Sequence, residues 1–432
     1  MHGPADQAPG RAAWYKRIGP GIISGAANDD PSCIVTYSMA GAAFGYLTLW
    51  TSLFCLPLIA AVQLICARLG MVSGRGLVGA VRVRFRRWVL LPTCALLFLA
   101  NVVTIGADLS GMAEVAELVT GLPAWLWTPA FAGGIVAMLF YFSHRRIMQV
   151  FRWLCLALFA YVAAGFLAGP DWRTALFFSI VPGVEWSGRY FAVIVAILGA
   201  TMSPYFLVWQ AMQEVEEEYS RGRRTVAERR GATGPELAAS RADVLLGAFA
   251  SKLITYFITL TAAATLYAAG RHDIGSLRDA ASALEPVAGP AAFYLFALGV
   301  VGTGILAIPA LAGSAAYAVA EAMRWRASLQ DRPRIAPKFY LVLAAAVLLG
   351  LALIYLGVPA VQLLFWASVL NGLLTAPTIL LALLLTRDPA VMGARVNPLW
   401  VNLAGWAAVA VTGAAALGML ATLLTGGGAP PA

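Results

Sequence analysis

The chain has 432 residues, of which 60% are hydrophobic and 12% are charged, and its net charge is +9. This composition excludes an ordinary soluble protein, because soluble domains carry about twice that share of charged residues. Apolar runs of eighteen or more residues recur along the chain, and each can cross the roughly 30 Å hydrocarbon core of a bilayer. They predict an all-α membrane protein with eleven transmembrane helices, at about residues 18–44, 47–68, 88–117, 123–143, 149–169, 190–212, 243–269, 290–323, 339–357, 359–386 and 398–425.

The first predicted helix is interrupted by a polar segment that ends in a proline. This segment reads Gly25-Ala26-Ala27-Asn28-Asp29-Asp30-Pro31 and lies between hydrophobic stretches. Proline interrupts helical hydrogen bonding, and freed carbonyls at membrane depth are tolerated only where they are buried in protein or line a cavity. Asp30 and such carbonyls would form the all-oxygen site that hard cations prefer. The alternative, that Asp29 or Asp30 caps the following half-helix, stays open here.

The third predicted helix carries an acidic residue at membrane depth. Asn101, Thr104 and Asp108 are spaced at i, i+3 and i+7, so they share one face of this helix. An ionisable residue within the membrane is a functional candidate by default. Asp108 is therefore interpreted either as a proton relay or partner of a metal site, or as a buried acid bonded across helices. Lys252, near the predicted inner end of the seventh helix, is expected to extend toward the interface.

The sixth predicted helix has a second break, which reads Gly199-Ala200-Thr201-Met202-Ser203-Pro204. Like the first break, it opens on Gly-Ala and closes on proline. Two interrupted helices at corresponding positions indicate a transporter's binding site near the bilayer midplane. No histidine falls at membrane depth, so the usual proton switch near neutral pH is missing. The polar insertion at about 213–242 is expected to continue the sixth helix and then form a solvated loop.

Charge predicts the orientation of the chain. With the N-terminus inside, only Arg173, Arg189, Arg271 and Arg278 of the 30 Lys and Arg residues lie outside. This bias predicts a multi-pass plasma-membrane protein with a cytoplasmic N-terminus and an extracytoplasmic C-terminus. The net positive charge then faces anionic membrane lipid, and no nucleic-acid partner is expected. The predicted parts are a cytoplasmic tail (1–17), a transporter core (18–386), and an eleventh helix with a short tail (387–432). A monomer is compatible with this organisation.

The two broken helices resemble those of the NRAMP family of divalent-metal transporters. The first runs from Gly19-Pro20-Gly21 through Asp30-Pro31-Ser32-Cys33 to Ala40-Gly41-Ala42-Ala43-Phe44-Gly45-Tyr46, which is similar to the family's GPG…DPGN…AGAxxGY signature. The second, up to Ser203-Pro204-Tyr205, is similar to the family's GATxMPH. The likeness covers about residues 15–385. It implies alternating access and a five-plus-five inverted repeat of the LeuT/APC type, in which helices 1 and 6 are broken.

The resemblance also implies a set of ligands for the transported metal. Carried over by position, these would be the Ala27 and Ala200 carbonyls, Asp30, Cys33 and Ser203, with Asp29 as an added candidate. Residues around the ligands, or on a proton path, would be Asp108, Asn101, Tyr205, Gln210, and Asn371 or Thr375 on the tenth helix. No resident cofactor and no enzymatic activity are expected.

Several positions depart from the family pattern. Cys33 stands where the family has asparagine, Ser203 replaces its methionine, and Tyr205 replaces its histidine. The third helix has Asn101 and Gly111 in place of two family acids, and the ninth helix, from Phe339 to Leu356, lacks the family's arginines. These departures dismantle most of the family's proton path.

The departures predict a preference for a hard cation. Losing a soft thioether at Ser203 removes discrimination against Mg²⁺, and Asp29 adds charge where a partly hydrated ion could be held. This pattern is similar to that of NRAMP-related magnesium transporters. A thiolate at Cys33 would favour Mn²⁺, Fe²⁺ or Zn²⁺, although a buried thiol without a cationic neighbour stays protonated. We therefore predict Mg²⁺ and Mn²⁺ uptake with weak or no proton coupling. The alternatives are a proton-coupled Mn²⁺/Fe²⁺ importer and, more remotely, an amino-acid or other organic-solute transporter.

Overall fold

The computed structural model describes residues 29–141, 159–285, 289 and 292–424. The regular elements within these residues are all helical. Besides α-helices they include a short π-helical stretch at Ala263–Tyr267 and a 3₁₀ turn at Gly45–Thr48. We number the α-helices α1 Pro31–Phe44, α2 Trp50–Ser73, α3 Leu77–Arg84, α4 Arg87–Thr120, α5 Ala124–Tyr141, α6 Ala160–Leu167, α7 Trp172–Ile180, α8 Gly188–Thr201, α9 Pro204–Ser220, α10 Val226–Arg229, α11 Gly234–Ala262, α12 Leu277–Ser282, α13 Ala292–Met323, α14 Pro337–Ile354, α15 Ala360–Arg387, α16 Pro389–Met392 and α17 Leu399–Leu424.

Nine stretches of the described chain are long and apolar enough to cross a membrane. They coincide with nine of the predicted spans and confirm a multi-pass membrane protein. The other two predicted spans, 18–44 and 149–169, lie partly outside the described residues. The nine are Trp50–Ser73, Arg87–Thr120, Ala124–Tyr141, Gly188–Ser220, Gly234–Tyr267, Ala292–Met323, Pro337–Ile354, Ala360–Arg387 and Leu399–Thr422.

The predicted break in the sixth helix is confirmed. Helix α8 ends at Thr201, Met202 and Ser203 leave helical geometry, and α9 begins at Pro204. A proline at the first position of a helix has no amide hydrogen to leave unpaired, which favours a new helix start here. Helix α1 likewise begins at Pro31, with Asp30 as its N-cap. The half-helix predicted before Asp29 lies outside the described residues.

The polar insertion is more ordered than the sequence suggested. Helix α9 does continue to Ser220, as expected, but α11 already begins at Gly234. Its start has a capping box in which Thr233 and Glu236 satisfy each other's backbone amides. Glu216 is buried rather than solvated: its carboxylate accepts hydrogen bonds from the Tyr317 hydroxyl at 2.7 Å and the Ser328 hydroxyl at 2.9 Å. The continued part of α9 is therefore packed against the protein at Glu216 and is not solvated there.

Helix α1 lies at the centre of the bundle, where it packs against α4, α8, α11, α13 and α15. Helices α8 and α15 come especially close, because each has a glycine that faces the backbone of the other helix. A Cβ on Gly199 would lie 2.0 Å from the Ser368 carbonyl oxygen, and one on Gly372 would lie 2.2 Å from the Val195 carbonyl oxygen. This contact holds the end of α8, and hence the break after it, against α15.

Replacing Gly199 by alanine is expected to destabilise the protein by about 1–3 kcal/mol, because the added methyl group must push two packed backbones apart. The measurement is the thermal unfolding midpoint of the purified protein in detergent. Gly133→Ala in α5 is the matched control, since a Cβ there meets nothing within 4 Å and alanine favours a helix. Equal midpoints for the two variants would contradict the close contact.

Candidate metal-binding site

Asp30 lies at the start of α1, faces Tyr205 just after the second helix break, and is only 2% exposed. Its Oδ1 accepts a hydrogen bond from the Cys33 backbone amide at 2.9 Å, so the carboxylate does cap α1. Its Oδ2 accepts a hydrogen bond from the Tyr205 hydroxyl at 3.3 Å. The capping alternative is thus confirmed for one oxygen. Because an ionised carboxylate has about four acceptor sites, capping does not use up its capacity to bind a cation.

Two predicted ligands face each other between α1 and α8. The Cys33 thiol donates a hydrogen bond to the Ala200 carbonyl oxygen across 3.3 Å. A thiol that donates in this way carries its proton, so Cys33 is neutral in this conformation. The Ser203 hydroxyl turns back to the end of α8, where it donates to the Gly199 carbonyl at 2.7 Å. The carbonyls released by the break therefore accept hydrogen bonds from short polar side chains.

Asp29 is also buried, at 1% exposure, and points toward α11. Its Oδ1 accepts a hydrogen bond from the Ser251 hydroxyl at 2.8 Å, while its Oδ2 has no hydrogen-bond partner among the described residues. Leaving a buried carboxylate oxygen unpaired is costly, so Oδ2 retains capacity for a cation or a water molecule. Ala27, the remaining predicted ligand, lies outside the described residues.

Lys252 does not reach the membrane interface, and that prediction is wrong. Its side chain is 4% exposed, and its ammonium donates to the Tyr37 hydroxyl at 2.8 Å and to the Thr201 hydroxyl at 3.0 Å. The two hydroxyls are also bonded to each other. Since α11 begins nine residues before the predicted span, Lys252 lies midway along the helix. Lys252 bonds Thr201, the residue after the Ala200 whose carbonyl the Cys33 thiol contacts, so the assumption that this thiol has no cationic neighbour is also wrong.

The predicted polar face of the third helix is confirmed on α4. Asp108 accepts a hydrogen bond from the Ser32 hydroxyl at 3.0 Å, which connects it to the helix start at Asp30. The Asn371 amide on α15 donates to the Thr104 hydroxyl at 3.0 Å, and the Asn101 amide donates to the Leu311 carbonyl at 3.2 Å. One oxygen each of Asp108, Asn101 and Asn371 has no hydrogen-bond partner among the described residues.

The two candidates on the tenth predicted helix have different surroundings. The Thr375 hydroxyl is 3.1 Å from the Met202 carbonyl oxygen, so it contacts the break in the sixth helix, whereas Asn371 contacts α4. Gln210 is buried on α9, about one and a half helical turns beyond Tyr205. Gly111 packs against Leu364.

The described residues contain no group of three or more His, Cys, Asp or Glu side chains placed to hold a metal ion. Most of the donors that the structure places near the second break are oxygens of carboxylates, carbonyls and hydroxyls, with the Cys33 thiol beside them. Such a donor set suits hard ions such as Mg²⁺, Ca²⁺ and Mn²⁺.

Comparison with known proteins places the chain in a family. The sequence model described as "Natural resistance-associated macrophage protein-like", or Nramp, matches residues 21–422. The chain belongs to the Nramp family. The resemblance found in the broken-helix motifs is thereby confirmed over nearly the whole chain.

Curated relatives of this Nramp chain are named divalent metal cation transporter MntH. The protein from Mycobacterium tuberculosis is 27% identical over 411 residues, which cover 92% of this chain and 89% of the relative. The protein from Chromohalobacter salexigens is 28% identical over 317 residues, which cover 69% of this chain and 68% of the relative.

Solved structures support the Nramp fold at low sequence identity. The manganese transporter of Eremococcus coleocola, in complex with an aromatic bis-isothiourea compound, has a TM-score of 0.73 and 19% identity, covering 97% of this chain and 89% of that chain. The nucleobase-cation-symport-1 transporter Mhp1, in a closed conformation, has a TM-score of 0.56 and 14% identity, covering 93% and 92%. At these identities the likeness concerns the fold alone.

Sequence reasoning missed four residues that surround the predicted ligands of this Nramp protein. Ser32 and Ser251 bond Asp108 and Asp29, whereas Tyr37 and Thr201 bond Lys252. Hydroxyl residues are common in membrane helices, and no spacing marks these four. For Lys252 a signal did exist: the Thr233-Gly-Pro-Glu236 capping pattern predicts an earlier helix start and therefore a deeper lysine.

Proposed function

We propose that this Nramp protein moves divalent metal cations across the membrane by alternating access, with the ion held between the two helix breaks. The observation that carries the proposal is the position of Asp30, a buried carboxylate at the start of α1 that contacts Tyr205 just after the break before α9. Helix breaks that line a buried site are typical of transporter binding sites. The names of the MntH relatives and of the E. coleocola manganese transporter support a divalent metal as the substrate.

The proposal includes the topology that the sequence predicts. This comprises eleven helices, with helices 1–5 and 6–10 as inverted repeats, in a plasma membrane with the N-terminus inside. The fold likeness to two transporter structures supports the repeat. The concentration of Lys and Arg on one side of the predicted spans supports the orientation.

Within the divalent ions, we propose Mg²⁺ as the preferred substrate, with Mn²⁺ also carried. Ser203 offers a hydroxyl oxygen where other family members have a soft thioether, and Asp29 adds a second buried carboxylate whose Oδ2 has no hydrogen-bond partner among the described residues. Mg²⁺ binds through oxygens and keeps several of its waters. The Cys33 thiol, which donates a hydrogen bond to the Ala200 carbonyl, is not a thiolate ligand in this conformation.

Transport is proposed to need little or no proton coupling. On the polar face of α4 only Asp108 is acidic, and Asn101 and Gly111 replace the two other family acids. An ion of charge +2 gains about 4.6 kcal/mol per 100 mV, twice the value for a single charge. The membrane potential alone is therefore a sufficient driving force for uptake.

A proton-coupled Mn²⁺/Fe²⁺ importer is the second candidate. The hydrogen bond from Ser32 to Asp108 favours it, because Ser32 lies two residues after Asp30 and could connect the site to a proton acceptor. The thiol of Cys33 beside the Ala200 carbonyl also favours a softer ion. An organic-anion substrate is disfavoured, since Asp29 and Asp30 stand at the half-helix start that would otherwise attract a carboxylate.

The test is uptake into proteoliposomes that contain a Mg²⁺-sensitive dye, with internal pH followed in parallel. We expect Mg²⁺ entry without acidification, and faster entry when the interior is made negative. Protein-free liposomes set the leak rate. Mn²⁺ entry with acidification and no Mg²⁺ signal would contradict this proposal and support the second candidate.

A further inference from the structure

Lys252 is the one buried cationic side chain in the described part of the chain. Every Arg and His described, and Lys338, are at least partly exposed to solvent. Burying an ammonium group is costly unless other groups compensate its charge. At membrane depth such a residue is expected to serve a function.

The contacts of Lys252 connect three helices around the second break. From α11 its ammonium reaches the Tyr37 hydroxyl on α1 and the Thr201 hydroxyl at the end of α8. The ammonium also lies 5.1 Å from the centre of the Tyr37 ring, within cation–π range. The preceding residue, Ser251, bonds Asp29. Two neighbouring residues of α11 thus contact both broken helices.

The charged groups near Lys252 are acidic. Asp29 accepts a hydrogen bond from Ser251, the residue before Lys252, and is followed in the chain by Asp30, while Asp108 is bonded to the same helix start through Ser32. All three carboxyl groups are buried. When a transported cation is bound, it compensates this negative charge. When the cation has left, the closed site retains the carboxylates, and Lys252 is the one buried cation among the described residues that can offset them.

Resting on the function proposed above, we propose that Lys252 is a resident counter-charge that allows the unloaded transporter to change conformation without a co-transported cation. A transporter must return with its site empty, and in doing so it passes through a state closed to water. Uncompensated buried carboxylates are costly in such a state. Lys252 supplies permanently the positive charge that a proton or another coupling ion would otherwise bring.

The role proposed for Lys252 depends on its charge and not on its hydrogen bonds. Tyr37 and Thr201 bond each other directly, so this join between α1 and α8 does not depend on the lysine. A neutral donor in its place would preserve the local structure and remove the compensation. Lys252 is thus a positioning residue for charge: in the described part of the chain its ammonium donates to Tyr37 and Thr201, and not to the proposed ligands.

The test separates the return of the empty transporter from the movement of the loaded one. Net Mg²⁺ uptake into Mg²⁺-free proteoliposomes requires the empty return, whereas exchange of Mg²⁺ isotopes at equal concentrations on both sides does not. With no membrane potential, we expect Lys252→Gln to slow net uptake about tenfold or more, since a buried charge has lost its partner. Isotope exchange, followed by mass spectrometry, should stay within about twofold of wild type, a change of less than 0.5 kcal/mol.

Two further variants complete the test. Lys252→Arg keeps the charge and should retain most of the net uptake, while the exposed Lys338→Gln should behave as wild type in both assays. If Lys252→Gln lowered isotope exchange and net uptake equally, or lowered neither, the proposed counter-charge role of Lys252 would be wrong. Wild-type protein that carries no Mg²⁺ in either assay would overturn the proposed function itself, and this inference with it.

Discussion

Replacing Asp30 by asparagine should abolish Mg²⁺ uptake while the protein remains folded. Asparagine is as good an N-cap as aspartate, so its side-chain oxygen can still accept the Cys33 amide hydrogen bond that Asp30 accepts at 2.9 Å. The negative charge between the two breaks is lost. Because even residues that support a metal ligand contribute 10–100-fold, loss of a ligand should lower uptake by roughly a hundredfold or more. The measurement is the initial rate of dye-reported Mg²⁺ entry into proteoliposomes.

Asp171→Asn is the matched control for this change. Asp171 also caps a helix, α7, through its side chain, but it is exposed and far along the chain from both breaks. It should leave uptake unaltered. If Asp30→Asn transports at the wild-type rate and unfolds at the wild-type temperature, the carboxylate serves only as a cap and the proposed site is wrong.

Replacing Ser203 by methionine should change which ion the protein prefers. A thioether at the break would favour softer ions such as Mn²⁺ and Cd²⁺ over Mg²⁺. We expect the ratio of Mn²⁺ to Mg²⁺ transport efficiency to rise by roughly tenfold, equivalent to about 1.4 kcal/mol. The measurement is inhibition of Mg²⁺ uptake by Cd²⁺ together with the two separate uptake rates. Some loss of stability should accompany it, because the bond from Ser203 to the Gly199 carbonyl is removed.

Two variants separate the sulfur atom from the loss of the hydroxyl. Ser203→Ala removes the same hydrogen bond without adding a thioether, and should not raise the preference for Mn²⁺. Ser220→Met adds methionine at the exposed end of α9 and should alter neither rate. An unchanged Mn²⁺ to Mg²⁺ ratio in Ser203→Met would show that residue 203 does not determine ion selectivity.

Features encoded by local chemistry could be predicted from the sequence. Pro204 and Pro31 mark the two helix starts, and Asp30 precedes a proline as an N-cap often does. Nine spans follow from apolar length alone. The common face of Asn101, Thr104 and Asp108 follows from helical periodicity.

Features that depend on contacts between distant helices could not be predicted. The bond from the Cys33 thiol to the Ala200 carbonyl joins residues 167 apart in the chain, and that from Ser251 to Asp29 joins residues 222 apart. In neither pair does the residue type of one partner indicate which distant residue it will contact. Lys252 was misplaced for a different reason: a charged segment before it concealed the true start of α11, so its depth was read from hydrophobicity instead of from the helix cap.

The close contact between the α8 and α15 backbones at Gly199 and Gly372 determines which helices can move relative to each other. Interdigitated backbones leave no space for sliding, and packed helices shift between discrete arrangements instead of deforming smoothly. We therefore expect α8 and α15 to move together in the proposed transport cycle, with rotation absorbed at the non-helical Met202–Ser203 link. In distance measurements between spectroscopic labels, the distance between labels on α8 and α15 should stay constant. The distance between labels on α8 and α9 should change as the link between these helices bends.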